Sequence, residues 1–189
     1  MHRMGGNDMT AQELLQLRTL RREAARLCRL INNTPETDPG RQKLLEGQLF
    51  GTFGEGSYAK PPVWCAFGAS THIGARFFCN YGCIFQDRMG IRIGDRVMLG
   101  PSVLLLADTA PITVGSHVWI GGKSTVCGGV TVGSGSVIGA GSVVREDIPA
   151  NVLAAGNPCR VIRPITEEDR RLWADRLEEY RAACDDPIV

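Results

Sequence analysis

The sequence predicts an all-β core, a left-handed parallel β-helix, with an N-terminal helical module and a C-terminal helix. Three observations predict it. First, residues 114 to 149 divide into six hexads: VGSHVW, IGGKST, VCGGVT, VGSGSV, IGAGSV and VREDIP. The first position is Val or Ile in every hexad, and glycine follows it in four. The fifth position is always apolar or small: Val118, Ser124, Val130, Ser136, Ser142 and Ile148. Second, nine of the chain's 23 glycines fall between residues 115 and 141, where a coil must turn corners. Third, the same phrasing recurs upstream as IGARFF from Ile73, IGDRVM from Ile93 and LGPSVL from Leu99.

A period of six belongs to no helix, and Lys123 and Arg145 interrupt a simple strand alternation. It suits a coil of triangular cross-section that takes one hexad per side and three per turn. Val114, Ile120, Val126, Val132, Ile138 and Val144 then point into the narrow interior and stack from turn to turn. The left-handed coil is a known exception to the right-handed crossover preference. A Gly-rich β-sandwich is the competing architecture, but it gives no reason for an unbroken first position. The upstream repeats slip. Ile73 to Ile93 is three hexads plus two residues, and Ile93 to Val114 is three plus three. Each excess must bulge from the coil, and the second contains LLLADTAP.

The ends read as helix. Thr10 with Glu13 makes a capping box. Leu14, Leu17, Leu20, Ala24, Leu27 and Ile31 follow at helical spacing. NNTPETDPG breaks that pattern. Asp38 and Pro39 open a second, short helix through Leu44, Leu45 and Leu49. Thr166, with Asp169 three residues on, starts a last helix through Leu172, Trp173, Leu177 and Tyr180. That face is expected to pack on the protein. The domains are therefore residues 1–56, helical; 57–163, β-helix; and 164–189, helix.

Composition limits function. The chain has 189 residues, with 21 basic and 20 acidic ones. That balance gives no electrostatic reason to expect nucleic acid or an anionic membrane as partner. No apolar run reaches the ~18 residues of a membrane span, and the N-terminus lacks the apolar stretch of a secretion signal. The seven cysteines are scattered without a C-x-x-C pair, so no metal is expected. They read as small buried thiols in a reducing cytoplasm.

VWIGG, VTVGSGSVIGAGSVV and DIPANVLAAGNPCRVIRPI together resemble the hexapeptide-repeat sugar O-acetyltransferases, the maltose, galactoside and nodulation-type enzymes. INNTPETDPGRQKLLEGQLFGTFGEG is similar to that family's helical module, and FFCNYGCIFQD to its acceptor-side coil. The resemblance implies a homotrimer with active sites between neighbouring coils, acetyl-CoA as donor, and a sugar or related small-molecule hydroxyl as acceptor. It implies direct transfer. The hydroxyl attacks the thioester carbonyl, a neutral imidazole takes its proton, and hydrogen-bond donors hold the oxyanion.

The family places that imidazole in a Thr-His-Pro or Gly-His-Pro loop before its PITIG-VWIG segment. Here the loop is cut to ADTAP and has no histidine, so the catalytic residue is unknown. Asp108 stands near the lost position. A carboxylate of ordinary pKa, ~3.9, is a poor base for an alcohol unless burial raises it. His117 is a second candidate. His72 and His2 complete the histidines, and Cys79, Cys83 and Cys127 would each need a base to act as nucleophiles.

On the acceptor side the resemblance carries Asn80 and Asp87; alternatively, Asn80 caps a corner and Asp87 satisfies turn amides. The family's Tyr- and Asp-bearing opening segment has only Asp8 to match it. On the donor side it carries Gly122 and Ala140, where small residues admit the pantetheine arm to the backbone. Arg160 and Arg163 match the basic residues near the nucleotide, and Arg145 stands for a usual lysine. Glu146, beside it, would oppose a phosphate. Two function classes remain open: a divergent, slow O-acetyltransferase, and a catalytically silent trimeric β-helix serving as a CoA-binding or assembly module.

Overall fold

A computed structural model of the chain describes residues 10–171. Helix α1 (Ala11–Asn32) opens as expected. The Thr10 side chain accepts from the Glu13 N–H, and the Glu13 carboxylate accepts from the Thr10 N–H. Helix α2 (Pro39–Leu49) starts on Asp38, whose carboxylate accepts from the Arg41 N–H, with proline in the first turn. Only the second half of α1 is packed. Ala24, Leu27, Cys28 and Ile31 are buried, while Leu14, Leu15 and Leu20 are exposed.

The body is a parallel β-helix of three sheets. Sheet A stacks Thr52–Phe53, Thr71–Ile73, Ile91–Ile93, Ile112–Val114 and Thr131–Val132. Sheet B stacks Tyr58–Ala59, Phe78–Cys79, Met98–Leu99, Trp119–Ile120, Val137–Ile138 and Val152–Ala155. An antiparallel strand, Arg160–Pro164, lies beside the last of these. Sheet C stacks Val63–Cys65, Cys83–Gln86, Leu104–Leu106, Thr125–Cys127 and Val143–Val144. The coil begins at Thr52, where Thr52 pairs with His72, and so earlier than the expected residue 57. Thr166 takes up its capping bonds with Asp169 and opens a helical turn at 167–171. The remainder of that expected helix lies outside the described residues, as do Asp8, His2 and Cys184.

Hexad logic accounts for the interior. Val114, Ile120, Val126, Val132, Ile138 and Val144 are all buried, and so are the six fifth-position residues. The buried serines are satisfied by the coil itself. Ser136 Oγ donates to the Pro149 carbonyl and accepts from the Val152 N–H, so small polar residues line the core without an unpaired group. Register locates the slips. Leu106 pairs with Gln86 and Cys127, whereas Thr113 pairs with Arg92 and Thr131. Between the same two columns the chain runs from 86 to 92, then 106 to 113, then 127 to 131. Both sets of extra residues therefore leave the coil at the edge between sheets C and A.

The outer faces differ in character. Sheet B presents Tyr58, Phe78, Met98, Trp119, Val137 and Leu153 in one cross-strand row. Sheet C presents Trp64, Ile84, Leu104, Thr125 and Val143, with Leu106 and Cys127 alongside. Sheet A presents Thr52, His72, Arg92, Thr113 and Thr131.

Candidate functional site

The edge between sheets B and C collects residues far apart in sequence. Asn80 follows the strand ending at Cys79, Gly122 follows the one ending at Ile120, and Ala140 follows the one ending at Ile138. Pairing of Cys79 with Leu99, Leu99 with Ile120, and Ile120 with Ile138 stacks these turns in one column. With about 5 Å between stacked strands, Asn80 lies two coils, roughly 10 Å, along the edge from Gly122. Ala140 is exposed and Gly122 partly so. Close stacking demands glycine here: a Cβ on Gly100 would collide with the Gly122 backbone nitrogen, and one on Gly121 with Ala140. The result is a side-chain-poor edge whose backbone an extended ligand can approach.

The Asn80 side chain accepts from the N–H of Tyr81 and so holds its own corner, while its amide nitrogen remains available among the described residues. Asp87 does not reach this edge. It is fully buried at the sheet C–A corner, where its carboxylate accepts from the Phe67 N–H and the Thr71 hydroxyl, both at 2.8 Å. The turn-satisfying alternative therefore describes Asp87, and direct contact with an acceptor does not.

The two candidate bases occupy the other edges. Asp108 is exposed in the short 107–111 bulge, at the sheet C–A edge. His117 is exposed at the sheet A–B edge, in a left-handed backbone conformation with φ of 58°. One chain therefore does not bring Asn80, Asp108 and His117 together. Sheet C is the face bounded by the Asn80 edge and the Asp108 edge.

The arginines sit at the top of the coil. Arg160 pairs with Glu146 at 3.1 Å, and both side chains are more than half exposed. Arg163 makes two bonds to Asp169, at 2.6 and 2.8 Å, which hold the Asp169 carboxyl well below its ordinary range. Arg145 is exposed and has no ion-pair partner among the described residues. The Arg160–Glu146 pair is open to solvent, so a phosphate can replace its carboxylate at little cost.

The cysteines offer no nucleophile at the edge. Cys79 and Cys83 are shut inside the coil. A hydrogen bond between them pushes the Cys79 thiol up, with burial adding to it, and draws the Cys83 thiol down. Cys127 is partly exposed on sheet C beside Leu106.

Known proteins share this architecture. Residues 111–146 match the model of the bacterial transferase hexapeptide (six repeats). Over 158 residues the chain is 38% identical to a galactoside O-acetyltransferase of Escherichia coli K12, covering 76% of this chain and 78% of that one. The crystal structure of a maltose O-acetyltransferase from Clostridium difficile 630 superposes with a TM-score of 0.78 at 41% identity, covering 80% of this chain and 89% of that one. A hexapeptide-repeat acetyltransferase from Vibrio cholerae O1 biovar eltor, complexed with acetyl coenzyme A, gives 0.77 at 32% identity, covering 88% and 94%. On its repeats, its coil and these likenesses, the chain belongs to the hexapeptide-repeat acetyltransferase family.

Proposed function

We propose that the protein is a cytoplasmic, acetyl-CoA-dependent O-acetyltransferase of low turnover, acting as a homotrimer on a sugar or related hydroxyl. The observation that carries this reading is the common B–C edge of Asn80, Gly122 and Ala140. An acceptor-side amide and a donor-side backbone channel lie on one line, and the family resemblance assigns the same two roles to these residues. Small residues at 122 and 140 leave the backbone open to the pantetheine arm. Arg145, Arg160 and Arg163 supply charge for the nucleotide phosphates. Asp87 acts indirectly, by fixing the C–A corner.

The same geometry supports a trimer. A coil that turns sheet C toward a threefold axis sets its C–A edge against the B–C edge of the next copy. That buries Ile84, Leu104 and Leu106 and brings the Asp108 bulge of one copy to the Asn80 column of its neighbour. The site then has a donor channel, an acceptor amide and one carboxylate, with no imidazole from the shortened loop. Positioning and oxyanion stabilisation sustain transfer, and the exchange of an imidazole for the weaker base Asp108 keeps it slow.

Calorimetry with CoA tests the donor half. Wild-type protein is expected to bind CoA, and replacing both Arg160 and Arg163 with alanine to weaken binding and reduce its salt dependence. Absence of binding at millimolar CoA would contradict the reading. The second reading, a silent CoA-binding trimer, is favoured by the absence of histidine in ADTAP. It is distinguished by CoA binding without acetyl transfer to any acceptor.

A further inference from the structure

Sheet A is the polar face, and it has no part in the reaction proposed above. Its outer row is Thr52, His72, Arg92, Thr113 and Thr131, one residue per coil. A shallow groove of about 350 Å³ runs across Thr52, His72, Arg92 and Thr113. The adjoining A–B edge adds Arg76, Arg96 and His117, each exposed. Their amides donate to the coil below at 2.8 Å, to Glu55, Ala75 and Asp95 in turn, so the three residues stack at one position of successive turns. All three share the left-handed backbone conformation, with φ between 54° and 58°.

Arg76, Arg92 and Arg96 form no ion pair among the described residues. Glu55 and Asp95 are the carboxylates on the edge. One Asp95 oxygen accepts from the Ala75 N–H instead. Arg76 therefore lies one coil, about 5 Å, from Arg92 and Arg96, beside a row of hydroxyls. Sheet A also carries no Phe, Tyr or Trp in its outer row, so it lacks the repeated stacking platform that single-stranded nucleic acid uses. A sheet C-inward trimer leaves it facing outward.

We propose that sheet A and its A–B edge bind an extended acidic polysaccharide. Arg76, Arg92 and Arg96 take its carboxylate or sulfate groups, and His72, Thr113 and Thr131 take its hydroxyls. This rests on the proposed trimer only in needing sheet A uncovered. It does not require the acetyl transfer reaction.

The test is titration of the full-length protein with a galacturonic acid hexamer at low ionic strength. Maltohexaose, a single-stranded oligonucleotide and CoA serve as comparison probes. The acidic hexamer is expected to bind, to weaken as salt rises, and to be unaffected by saturating CoA. Maltohexaose is expected not to bind, and the oligonucleotide to bind at least tenfold more weakly than the hexamer. Arg92→Ala should cost tenfold or more in affinity, the paired Arg76→Ala and Arg96→Ala at least as much, and Lys43→Ala on α2 nothing. Circular dichroism checks that each variant is folded. Indifference to the arginine substitutions overturns the proposal. So does equal binding of the oligonucleotide, or displacement by CoA, which would give the face to the nucleotide. Binding seen only after removal of the acidic segment 172–189 would make the chain's own tail the occupant and also overturn it. Failure here leaves the calorimetry with CoA untouched, so the two readings fail separately.

Discussion

At the scale of single residues, buried polar groups decide more than exposed ones. Glu46 of α2 is fully buried, and its carboxyl accepts from the Gln42 side chain and the Ala59 N–H, each at 3.0 Å. Burial pushes its pKa up to about 7 despite those bonds. The folded state therefore holds this proton more tightly than the unfolded chain does. Stability from this group is full below the ordinary carboxylate range, near ~4.3, and is lost as pH rises through about 7. Glu46→Gln should flatten the fall of melting temperature between pH 5 and 8, and unchanged slopes would refute this placement. Val132 tests the interior. Val132→Asp places an unpaired carboxylate in the coil, at a cost of about 4 kcal/mol or more and roughly 10 °C in melting temperature. A melting curve equal to wild type would contradict it. At the site, Asp108→Asn and His117→Ala separate the two candidate bases. In the proposed trimer the Asp108 bulge reaches the acceptor edge and His117 stays away from it. Turnover is expected to fall ~10² for Asp108→Asn and to hold for His117→Ala, measured with saturating acetyl-CoA.

At the scale of elements, the coil shows which parts of a structure a sequence can specify. The first-position aliphatics and fifth-position small residues were legible because a β-helix repeats one environment, so one pattern predicts six positions. The slips were legible as arithmetic, but not their common location. Only pairing of Leu106 with Gln86 and Cys127 puts both sets of extra residues on one edge. Which of the two roles left open for Asp87 its surroundings support was illegible for a related reason. A motif gives a residue its position along the chain, whereas burial depends on which corner the slip creates, and this corner turns the carboxylate inward. The start of the coil at Thr52 rather than 57 escaped because a two-residue strand carries almost no periodicity. The basic ladder had a signal that was available: Arg76, Arg96 and His117 each stand three residues after a core aliphatic. Its meaning appears only when the turns are stacked.

At the scale of the whole molecule, the account depends on how copies meet. Two outer faces are apolar, and sheet B leaves Met98 and Trp119 exposed at 39% and 43%. The edges that carry Asn80 and Asp108 bound sheet C, and the proposed trimer therefore turns sheet C inward. Leu104→Glu should therefore reduce a trimeric mass in light scattering to a monomeric one, and Met98→Glu should not. A monomeric wild type at micromolar concentration would remove the intersubunit site. The central claim is that an acetyl donor and a hydroxyl acceptor meet on the Asn80 edge without an imidazole from the shortened loop. Its most direct measurement is thiol release from acetyl-CoA by the wild-type protein, offered maltose, galactosides and glucosamine. The predicted result is slow, acceptor-dependent release that saturates with acetyl-CoA and is lost in Asn80→Ala. Release no faster than spontaneous hydrolysis with every acceptor, while CoA still binds, would contradict it.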